Sequence, residues 1–547
     1  MNLKFRLLSF FLLAALVFSC GSQGPESEGI EMISADKLKA HIRYLSDDLM
    51  EGRGTGSRGL KLAGKYMAAQ FAINGVQPGG ENSTYFQAVP LVGYTATAPL
   101  RFEFVKGGQR VALRYLDDFV ANAGRIESQV RLTGDIVFVG YGVDAPDLNW
   151  NDYKDVDVSD KILLMLVNDP PSEDPEFFGG KALTYFGRWT YKNEIAGKKG
   201  AAGVILIHTD EKAGYGWGVV RSSWSGEQFA LEPKAGAPPK SRVESWITSD
   251  MAERLLGMAG YSLEEMINNA GKSDFRPVEL GVSLNIDMRS RVRNIESQNV
   301  IGIVPGVNSE EYVVYSTHLD HLGIGNPING DNIYNGALDN STGSAALLEI
   351  GRVFAHLSSP PERSVVLVAV TGEEKGLLGS TYYAQNPVYP ANKTIANINF
   401  DSPTKLGRFR DMVVLGAERT SAYELAEKLA SDNGLILSPD PAPEQGSYFR
   451  SDQLSFARVG IPGLYIKNGH LFEGRSDEWG AEQAKLFNEN HYHQPSDEFS
   501  DDWDMEGILQ LSKLAFQFGF RIAGSGEWIE WNDGEAFKAV REGSIKN

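Results

Sequence analysis

The chain has 547 residues, of which 42% are hydrophobic and 22% are charged. This composition excludes an intrinsically disordered protein, and the length exceeds one ordinary core, so we expect two or three domains. Lys and Arg number 52 against 71 Asp and Glu, a formal net charge of -19. Such a charge argues against nucleic-acid partners and against attraction to an anionic membrane surface. A cationic group or a metal is the expected ligand.

The first twenty residues have the pattern of an export signal. Two basic residues precede an apolar run from Leu7 to Phe18, which has the length of a signal segment and is short for a membrane-spanning helix. The run ends in Val-Phe-Ser-Cys, which resembles a bacterial lipobox, and Cys20 is the only cysteine of the chain. We expect residues 1–20 to be a signal peptide and the mature protein to be anchored by lipid at Cys20 in the bacterial envelope, in the outer membrane or periplasm. An ordinary cleaved signal is the alternative, and it predicts export as well.

Residues 21–90 predict a polar linker followed by helices that belong to the C-terminal domain. Helical periodicity extends from Ile33 to Val76. Two apolar stripes carry it: Leu38, Ile42 and Leu45 in the first, and Leu62, Tyr66, Ala69 and Ile73 in the second. The glycine-rich segment Glu51–Arg58 lies between the stripes. It lacks the preceding strand and the Gly-Lys-Ser/Thr sequence of a phosphate-binding loop, so we interpret it as a loop between helices.

The pattern changes between about Tyr85 and Asp287 to short β-type runs separated by Gly, Pro and Asp. Residues 136–142 and 161–167 are two such runs. A helical stretch at 196–203 leads into the apolar run 204–207, and together they resemble the protease-associated domain that is often inserted in exopeptidases. Residues 91–285 are therefore predicted to form an inserted, mostly β protease-associated domain.

Residues 286–547 predict an α/β domain with a mixed, largely parallel central sheet flanked by helices. Apolar strand-like runs alternate here with helical segments: 312–316, 345–354, 365–370, 395–399, 421–430 and 461–466. In such sheets, functional groups gather in the loops at the carboxyl ends of the strands, and the polar motifs of this region fall at those ends.

The motif Thr-His318-Leu-Asp320-His321-Leu-Gly follows the first of these strands. If the extended conformation continues, His318 and Asp320 point to the same face, so one could bind a metal while the other fixes the imidazole tautomer. A lone His-x-Asp is more often structural.

The second motif, Asn335–Gly343, contains Asp339 at the mouth of a helix that opens at about Asn340. Both carboxylate oxygens would be available there, as a residue that bridges two cations requires. Helix capping is the alternative, because Asp followed by Asn-Ser is a common N-cap sequence.

The third motif places Glu373 and Glu374 side by side after a buried-type strand. Adjacent carboxylates repel one another unless a cation compensates. With a metal present, one carboxylate can be a ligand while its neighbour accepts a proton from the attacking water. A solvated acidic turn is the alternative.

Two further motifs complete the set. Asp401 ends another strand, and a loop before the C-terminal helix contains His491, Tyr492, His493 and Asp497. Each motif alone is ordinary, but all five supply carboxylates and imidazoles, which zinc accepts, within one α/β domain. The sequence therefore predicts a metal centre.

The motifs from Asn299 to Phe499 resemble those of the M28 family of zinc peptidases, which includes aminopeptidases, glutamate carboxypeptidase and the transferrin receptor. The resemblance implies two zinc ions per chain, with Asp339 bridging. It assigns His318, Asp339 and Asp401 to the first ion, and Asp339, Glu374 and His493 to the second.

The same resemblance implies three catalytic roles. Glu373 would be the general base, Asp320 the partner of the His318 ring, and Tyr492 a donor to the oxyanion. One departure is Ser402-Pro403, where many relatives have an apolar residue and then a glycine. The expected activity is hydrolysis of peptides from their free amino terminus.

Three other functions share this fold. A non-catalytic receptor should have lost metal ligands, whereas every expected ligand is present. Glutaminyl cyclases resemble one-metal sites that lack the residue equivalent to His318. A carboxypeptidase stays open, because Arg450 or Arg475 could bind a substrate carboxylate. Neither the oligomeric state nor the preferred substrate residue follows from the sequence.

Overall fold

The computed structural model describes residues 24–154, 156–234 and 236–546, without the side chains of residues 98, 99 and 546. The predicted signal peptide and Cys20 lie outside this range, so the lipid anchor stays a prediction. Among the described residues, no helix has the length and apolar character needed to cross a membrane.

The α-helices of the described residues are α1 Pro25–Met32, α2 Ala35–Leu45, α3 Arg58–Ile73, α4 Trp189–Lys198, α5 Asp210–Ala213, α6 Trp217–Trp224, α7 Ser249–Ala259, α8 Leu263–Ala270, α9 Thr342–His356, α10 Leu378–Gln385, α11 Ala422–Asp432, α12 Gln453–Ala457, α13 Trp479–Asn490, α14 Glu506–Gly524 and α15 Ala536–Lys546. A π-helical turn, Ala337–Ser341, directly precedes α9.

The strands are β1 Gln77–Pro78, β2 Phe86–Lys106, β3 Gln109–Ala112, β4 Phe119–Ala123, β5 Gln129–Phe138, β6 Asp144–Ala145, β7 Trp150–Asn151, β8 Ile162–Leu166, β9 Gly203–His208, β10 Glu227–Leu231, β11 Val243–Thr248, β12 Val278–Val304, β13 Asn308–His318, β14 Gly323–Ile328, β15 Asp331–Tyr334, β16 Arg363–Val370, β17 Thr394–Asn399, β18 Asp411–Leu415, β19 Ile436–Leu437 and β20 Gly463–Asn468.

Within the described residues, sixteen strands join into one mixed sheet. Its main path runs β19-β18-β20-β17-β13-β16-β12-β5-β8-β9-β11-β4, and strands β1, β2, β3 and β10 branch from it. Strand β13 pairs in parallel with both β16 and β17, and β17 pairs in parallel with β20. The predicted α/β class with a mixed, largely parallel sheet is confirmed.

Strands β16 and β17 are buried at every position. Helices α9 and α14 contact these strands, α12 contacts β17, and α10 contacts the neighbouring strand β12. A parallel strand that helices cover on both faces has no polar side, which explains why these segments appear as continuous apolar runs in the sequence.

The hydrophobic core divides into two large clusters. One lies within residues 102–288, which we call the inserted unit, and the other draws on residues 33–76 and 300–529, which we call the host unit. The N-terminal helices therefore pack with the C-terminal part of the chain, although the inserted unit separates the two in the sequence.

Two long antiparallel strands, β2 and β12, connect the two units. They pair from Phe86 with Val300 to Val105 with Ser283, with one register shift at Asp287 and Arg289. The predicted domain limits at 90/91 and 285/286 fall inside these strands, so the backbone passes from one unit to the other without a linker.

The inserted unit contains strands β5, β8, β9 and β11 in parallel, with β4 antiparallel at the edge. Helices α4 and α7 contact β9. The unit thus has helices beside its strands, and its identity as a protease-associated domain stays a prediction.

The two predicted apolar stripes of the N-terminal helices have different outcomes. Leu38, Ile42 and Leu45 are completely buried, as predicted. The second stripe is wrong, because Ile73 is 75% exposed. Helix α3 instead buries a neighbouring face: Leu60, Ala63, Gly64, Met67, Ala68 and Phe71. Small residues on that face let the helix approach β12. The sequence analysis looked for large apolar residues and therefore did not identify this face.

Candidate functional site

The carboxyl ends of three neighbouring strands place most of the predicted metal ligands. His318 is the last residue of β13, Glu373 and Glu374 begin the turn after β16, and Asp401 lies two residues beyond β17. Because these strands are parallel and adjacent, the three ends meet at one edge of the sheet.

Asp339 stands between two pairs of side chains. Its Oδ1 atom lies 3.2 Å from Nε2 of His318, and its Oδ2 atom lies 3.4 Å from Nε2 of His493. His318 also approaches Asp401 at 3.3 Å, and His493 approaches Glu374 at 2.9 Å. The two oxygens of one carboxylate therefore face two separate imidazole and carboxylate groups. This is the arrangement required of a residue that bridges two cations.

The electrostatics of the cluster favour bound cations. Burial opposes protonation of His493, but the carboxylates of Glu374 and Asp339 outweigh it and raise the pKa of the imidazole to about 10. Burial likewise opposes ionisation of Asp339, yet hydrogen bonds to His318 and His493 hold its pKa well below the usual range. Protons on the rings thus occupy the lone pairs that a metal would use. The donor set of imidazoles and carboxylates fits zinc.

Several ligand atoms are close enough together to hold an ion. Atoms of His318, Asp339 and Asp401 lie within 4.8 Å of one another, and so do atoms of His321, Asp339 and Glu374. The first group is the one that the resemblance assigned to the first zinc ion. In the second group, His321 stands where the resemblance assigned His493.

The loop before α9 holds Asp339 in place through its backbone. The Asp497 carboxylate accepts hydrogen bonds from the backbone N–H groups of Leu338 and Asp339, at 2.9 and 3.0 Å. Gly336 has a positive φ of 58°, and a Cβ atom there would lie 2.4 Å from the His321 ring. Asp339 does not cap α9, since the first-turn backbone N–H of Gly343 donates to Oδ1 of Asn340 instead. Its carboxylate is thus free to face the imidazoles.

A model of peptidase family M28 matches residues 299–518, which contain every metal-ligand candidate. Over this segment the chain is similar to peptidase family M28. The M28 segment is also similar to named relatives. Aminopeptidase NAALADL1 of Mus musculus is 33% identical over 127 residues, which are 22% of this chain and 16% of that protein. Leucine aminopeptidase 2 of Arthroderma otae is 27% identical over 218 residues, 38% of this chain and 39% of that protein.

These sequence matches thus span less than two thirds of either relative. The fold match extends further. The structure of the aminopeptidase from Aneurinibacillus sp. strain AM-1 superposes with a TM-score of 0.54 over 92% of this chain and 97% of that chain, at 18% identity. The likeness shows that the host unit and the inserted unit together have the fold of that protein.

The predicted contact between the Asp320 carboxylate and the His318 ring is not made. Nδ1 of His318 lies 3.1 Å from the backbone oxygen of Asp320. Strand β13 ends at His318, and the chain then turns, so the two side chains do not share a strand face. The Asp320 carboxylate instead accepts hydrogen bonds from the Thr55 hydroxyl and from the backbone N–H of Glu373, at 2.9 and 3.2 Å. It therefore positions the turn that carries Glu373.

Arg53 supports the M28 site from the glycine-rich loop, which the sequence analysis interpreted only as a connection. Its side chain is 1% exposed. The guanidinium donates to the backbone oxygens of Leu319, Asn335 and Gly336 at 2.8 to 2.9 Å, and also to that of Leu45. Burial lowers its pKa to about 10, so it stays charged at neutral pH. One buried cation thus joins the His318 loop to the Asp339 loop.

His321 is a second residue whose role the sequence analysis missed. Its Nδ1 atom lies 2.7 Å from Oε1 of Glu374, and its buried Nε2 atom has no hydrogen-bond partner in the part of the chain that the structure describes. Glu374 is therefore held between His321 and His493. The spacing His-x-x-His was the signal in the sequence, but only the turn after β13 brings the second ring to Glu374.

Two serines complete the surroundings of the ligands. The Ser451 hydroxyl donates to Oδ2 of Asp401 at 3.0 Å. The Ser223 hydroxyl lies 2.8 Å from Nδ1 of His493. Ser223 belongs to α6 of the inserted unit, so no local pattern could connect it with a histidine 270 residues later.

A cavity of about 1160 Å³ opens onto the site, and both units supply its walls. Glu373, Tyr492 and His493 line it on the M28 side. The Tyr492 ring stacks on His493 with ring centroids 4.0 Å apart. Of the two arginines proposed for a substrate carboxylate, Arg450 lines the cavity. Arg475 packs against Trp479 instead, and is not among the residues that line this cavity.

Proposed function

We propose that this protein is an exported metallo-aminopeptidase, lipid-anchored at Cys20, that uses two zinc ions to hydrolyse peptides from their free amino terminus. The position of Asp339 carries the catalytic part of the proposal, because its two oxygens face two separate ligand groups. The signal-peptide pattern predicted for residues 1–20 supports the location.

The residues present can hold two ions. His318, Asp339 and Asp401 would hold the first, and Asp339, Glu374 and His493 the second. Bound zinc supplies Lewis acidity, which polarises the scissile carbonyl and acidifies water. His321 is positioned to fix Glu374, since its ring occupies the carboxylate oxygen that His493 leaves free.

Glu373 is the residue available to move the proton. Burial raises the pKa of its carboxyl well above the usual range, and the neighbouring Glu374 carboxylate raises it further. Its backbone N–H is fixed by Asp320, and its side chain lines the cavity. Glu373 therefore can take a proton from the attacking water and return it to the leaving amine. Glu374 cannot share this task, because both of its oxygens face imidazoles.

Tyr492 is the candidate donor to the oxyanion. It lines the cavity beside His493, and burial raises the pKa of its phenol well above the usual value, so the hydroxyl keeps its proton. A positioned donor of this kind contributes about 3 kcal/mol to stabilising the transition state in comparable acyl transfers.

The choice of the amino end rests on two sequence relatives that are named as aminopeptidases, those of Mus musculus and Arthroderma otae. A carboxypeptidase is the second candidate, and Arg450 in the cavity favours it. A receptor without catalysis is not supported, because the cluster retains every donor of the predicted site.

The deciding experiment compares peptides with free, N-acetylated and C-amidated ends, each with and without a chelator. An aminopeptidase cleaves the free and the amidated peptide, fails on the acetylated one, and stops when the chelator is added. Equal rates on acetylated and free peptides would identify another specificity. Metal analysis that finds one ion in fully active protein would refute the two-metal site.

A further inference from the structure

Glu244 is an acidic residue of the cavity wall that the proposed mechanism does not use. It belongs to β11 of the inserted unit and pairs across the sheet with Asn122 of β4, so both side chains lie on the same face. Both residues line the cavity. Oε2 of Glu244 accepts a hydrogen bond from the Asn193 side chain at 3.1 Å. Within the described residues, Oε1 has no hydrogen-bond partner and Glu244 forms no ion pair.

The unpaired oxygen of Glu244 lies at the surface of the cavity wall. A Cβ atom on Gly124, which also lines the cavity, would come within 3.1 Å of this Oε1 atom. The buried Oδ1 atom of the neighbouring Asn122 likewise has no hydrogen-bond partner among the described residues. Burial raises the pKa of the Glu244 carboxyl, and the charge of Lys240 lowers it only in part. A bound cation would stabilise the ionised carboxylate and supply the donor that its free oxygen lacks.

Tryptophan rings form the wall next to this carboxylate. Trp246 lies two residues after Glu244 on β11, so the two side chains share one face of the sheet. The centroid of the Trp246 ring lies 6.0 Å from that of Trp224, which lies 5.4 Å from that of Trp189. All three rings line the cavity, and we call them the aromatic wall. Aromatic faces attract cations, and they also pack against methylene chains.

The aromatic wall connects Glu244 with the metal site. The Asn122 side chain donates to the backbone oxygen of Trp224 at 3.4 Å. The residue before Trp224 is Ser223, whose hydroxyl lies 2.8 Å from Nδ1 of His493. The end of α6 thus separates Glu244 from a metal-ligand candidate. A peptide held at the metal site would reach Glu244 with a long side chain.

We propose that Glu244, Asn122 and the aromatic wall form a subsite for a basic side chain of the substrate. Lys and Arg combine a long apolar stem with a cationic tip, so the stem would pack on the rings while the tip binds the carboxylate. The net charge of -19 adds long-range attraction for cationic peptides. The proposal rests on the peptidase function proposed above and adds its substrate class: peptides with a basic residue at the first or the second position.

The test uses the zinc-loaded full-length mature protein and two matched pairs of amidated tripeptides. One pair has Lys or norleucine at the first position, the other has Lys or norleucine at the second, and the remaining residues are Leu. Norleucine keeps the stem of Lys and removes its charge. We expect kcat/KM to be about 10-fold to 100-fold higher for the Lys member of one pair, the size of a charged hydrogen bond. The pair that shows the preference identifies the position of the basic residue. Equal values within both pairs would overturn the subsite and leave the peptidase intact.

The variant E244Q keeps the size of the side chain and can still accept the hydrogen bond from Asn193, but it loses the charge. Its preference for Lys should disappear, while its rates on the norleucine peptides should stay at the wild-type values. The matched control is E194Q. Glu194 lines the same cavity, but it already has Arg458 at 3.5 Å, so E194Q should keep the wild-type preference.

If E244Q does not fold by circular dichroism, E244D decides instead. Withdrawing the carboxylate by one methylene should lower the preference for Lys, whereas a wild-type preference in the folded variant would overturn the subsite.

Calorimetric titration of the same peptides separates the two proposals. Binding of a Lys peptide that E244Q weakens, without hydrolysis of any peptide, would refute the peptidase and support the subsite. Hydrolysis with an unchanged preference for Lys in E244Q would refute the subsite alone.

Discussion

The hydroxyl of Ser223, in the inserted unit, lies 2.8 Å from Nδ1 of His493, in the host unit. The backbone oxygen of Ser223 accepts hydrogen bonds from Lys375 and Gln228, each at 3.1 Å, which fix the end of α6. With Nδ1 engaged by the serine, Nε2 faces Asp339 and Glu374. The inserted unit thus orients a ligand candidate of the metal site.

Ser223→Ala should weaken the second metal, because partners of this kind typically change metal affinity or activity by about 10-fold to 100-fold. The measurement is metal content during titration with a chelator, together with kcat/KM. Ser222→Ala is the matched control, since its hydroxyl has no hydrogen-bond partner among the described residues. Equal metal retention in both variants would show that Ser223 does not orient the ring.

Glu373→Gln and Glu374→Gln should separate the two adjacent carboxylates. Glu373→Gln keeps the size and polarity of the side chain but cannot accept a proton, so turnover should fall by about 10²-fold to 10⁴-fold. Its metal content should stay near the wild-type value, because no ligand is removed. Glu374→Gln should instead lose the second metal, since an amide is a poorer ligand than a carboxylate.

Single-turnover rates and metal analysis on the two purified variants check this separation. The assignment of base and ligand is wrong if both variants lose metal equally. It is also wrong if Glu373→Gln turns over at a near-normal rate.

Arg53→Met should destabilise the fold by about 3 kcal/mol or more, because four buried carbonyl oxygens lose their donor. Chemical denaturation at a fixed metal concentration measures the free energy of unfolding. Arg58→Met, at the first residue of α3, is the control. Arg58 is 72% exposed and, among the residues described, pairs only with Glu51, so its loss should change the stability by less than about 0.5 kcal/mol. A similar loss in both variants would contradict the supporting role of Arg53.

The metal-ligand candidates were easier to predict from the sequence than the residues that position them. Asp339, Glu374 and His493 were recognisable because a metal restricts the choice of residue type and because parallel strand ends converge. Arg53 and Ser223 were not recognisable, since each acts on a residue more than 200 positions away. The Ser223 contact depends on how the two units pack, and the Arg53 contacts depend on how the N-terminal segment packs against the rest of the host unit. No local pattern encodes either arrangement.

Local errors had equally physical causes. Extending the strand past His318 predicted a side-chain contact with Asp320 that the turn prevents. In α3, the buried face contains small residues such as Ala63 and Gly64, so a search for large apolar residues selected the exposed Ile73. The fold class was predictable because entirely buried strands such as β16 contain an unbroken apolar run.

Removal of the metals should lower the melting temperature, because the ions bind the folded protein and balance carboxylates that are otherwise crowded together. At a free zinc concentration about 100-fold above Kd, one site contributes about 2.7 kcal/mol. Thermal unfolding with zinc and with a chelator measures the difference. In Asp339→Asn, which weakens both predicted sites, most of this difference should disappear. A melting temperature that does not depend on zinc in the wild type would argue against the metal centre.

Cys20→Ala should release the protein from membranes, since lipid attachment depends on the cysteine sulfur. Fractionation of cells that express the wild type and the variant measures the distribution. Ser19→Thr, which keeps the cysteine, should leave the protein in the membrane fraction. Unchanged membrane association of Cys20→Ala would reject the anchor.

The continuous pairing of β2 with β12 has a mechanical consequence for the cavity. Bending the inserted unit away from the host unit would distort a ladder of backbone hydrogen bonds that passes from one unit to the other. A flexible hinge of the usual kind, a few unpaired loop residues, is absent from these two described strands. The paired backbones of β2 and β12 therefore set the width of the cavity entrance. A preference for peptides of a different size would then require substitution of the side chains that line the cavity, because the angle between the two units stays constant.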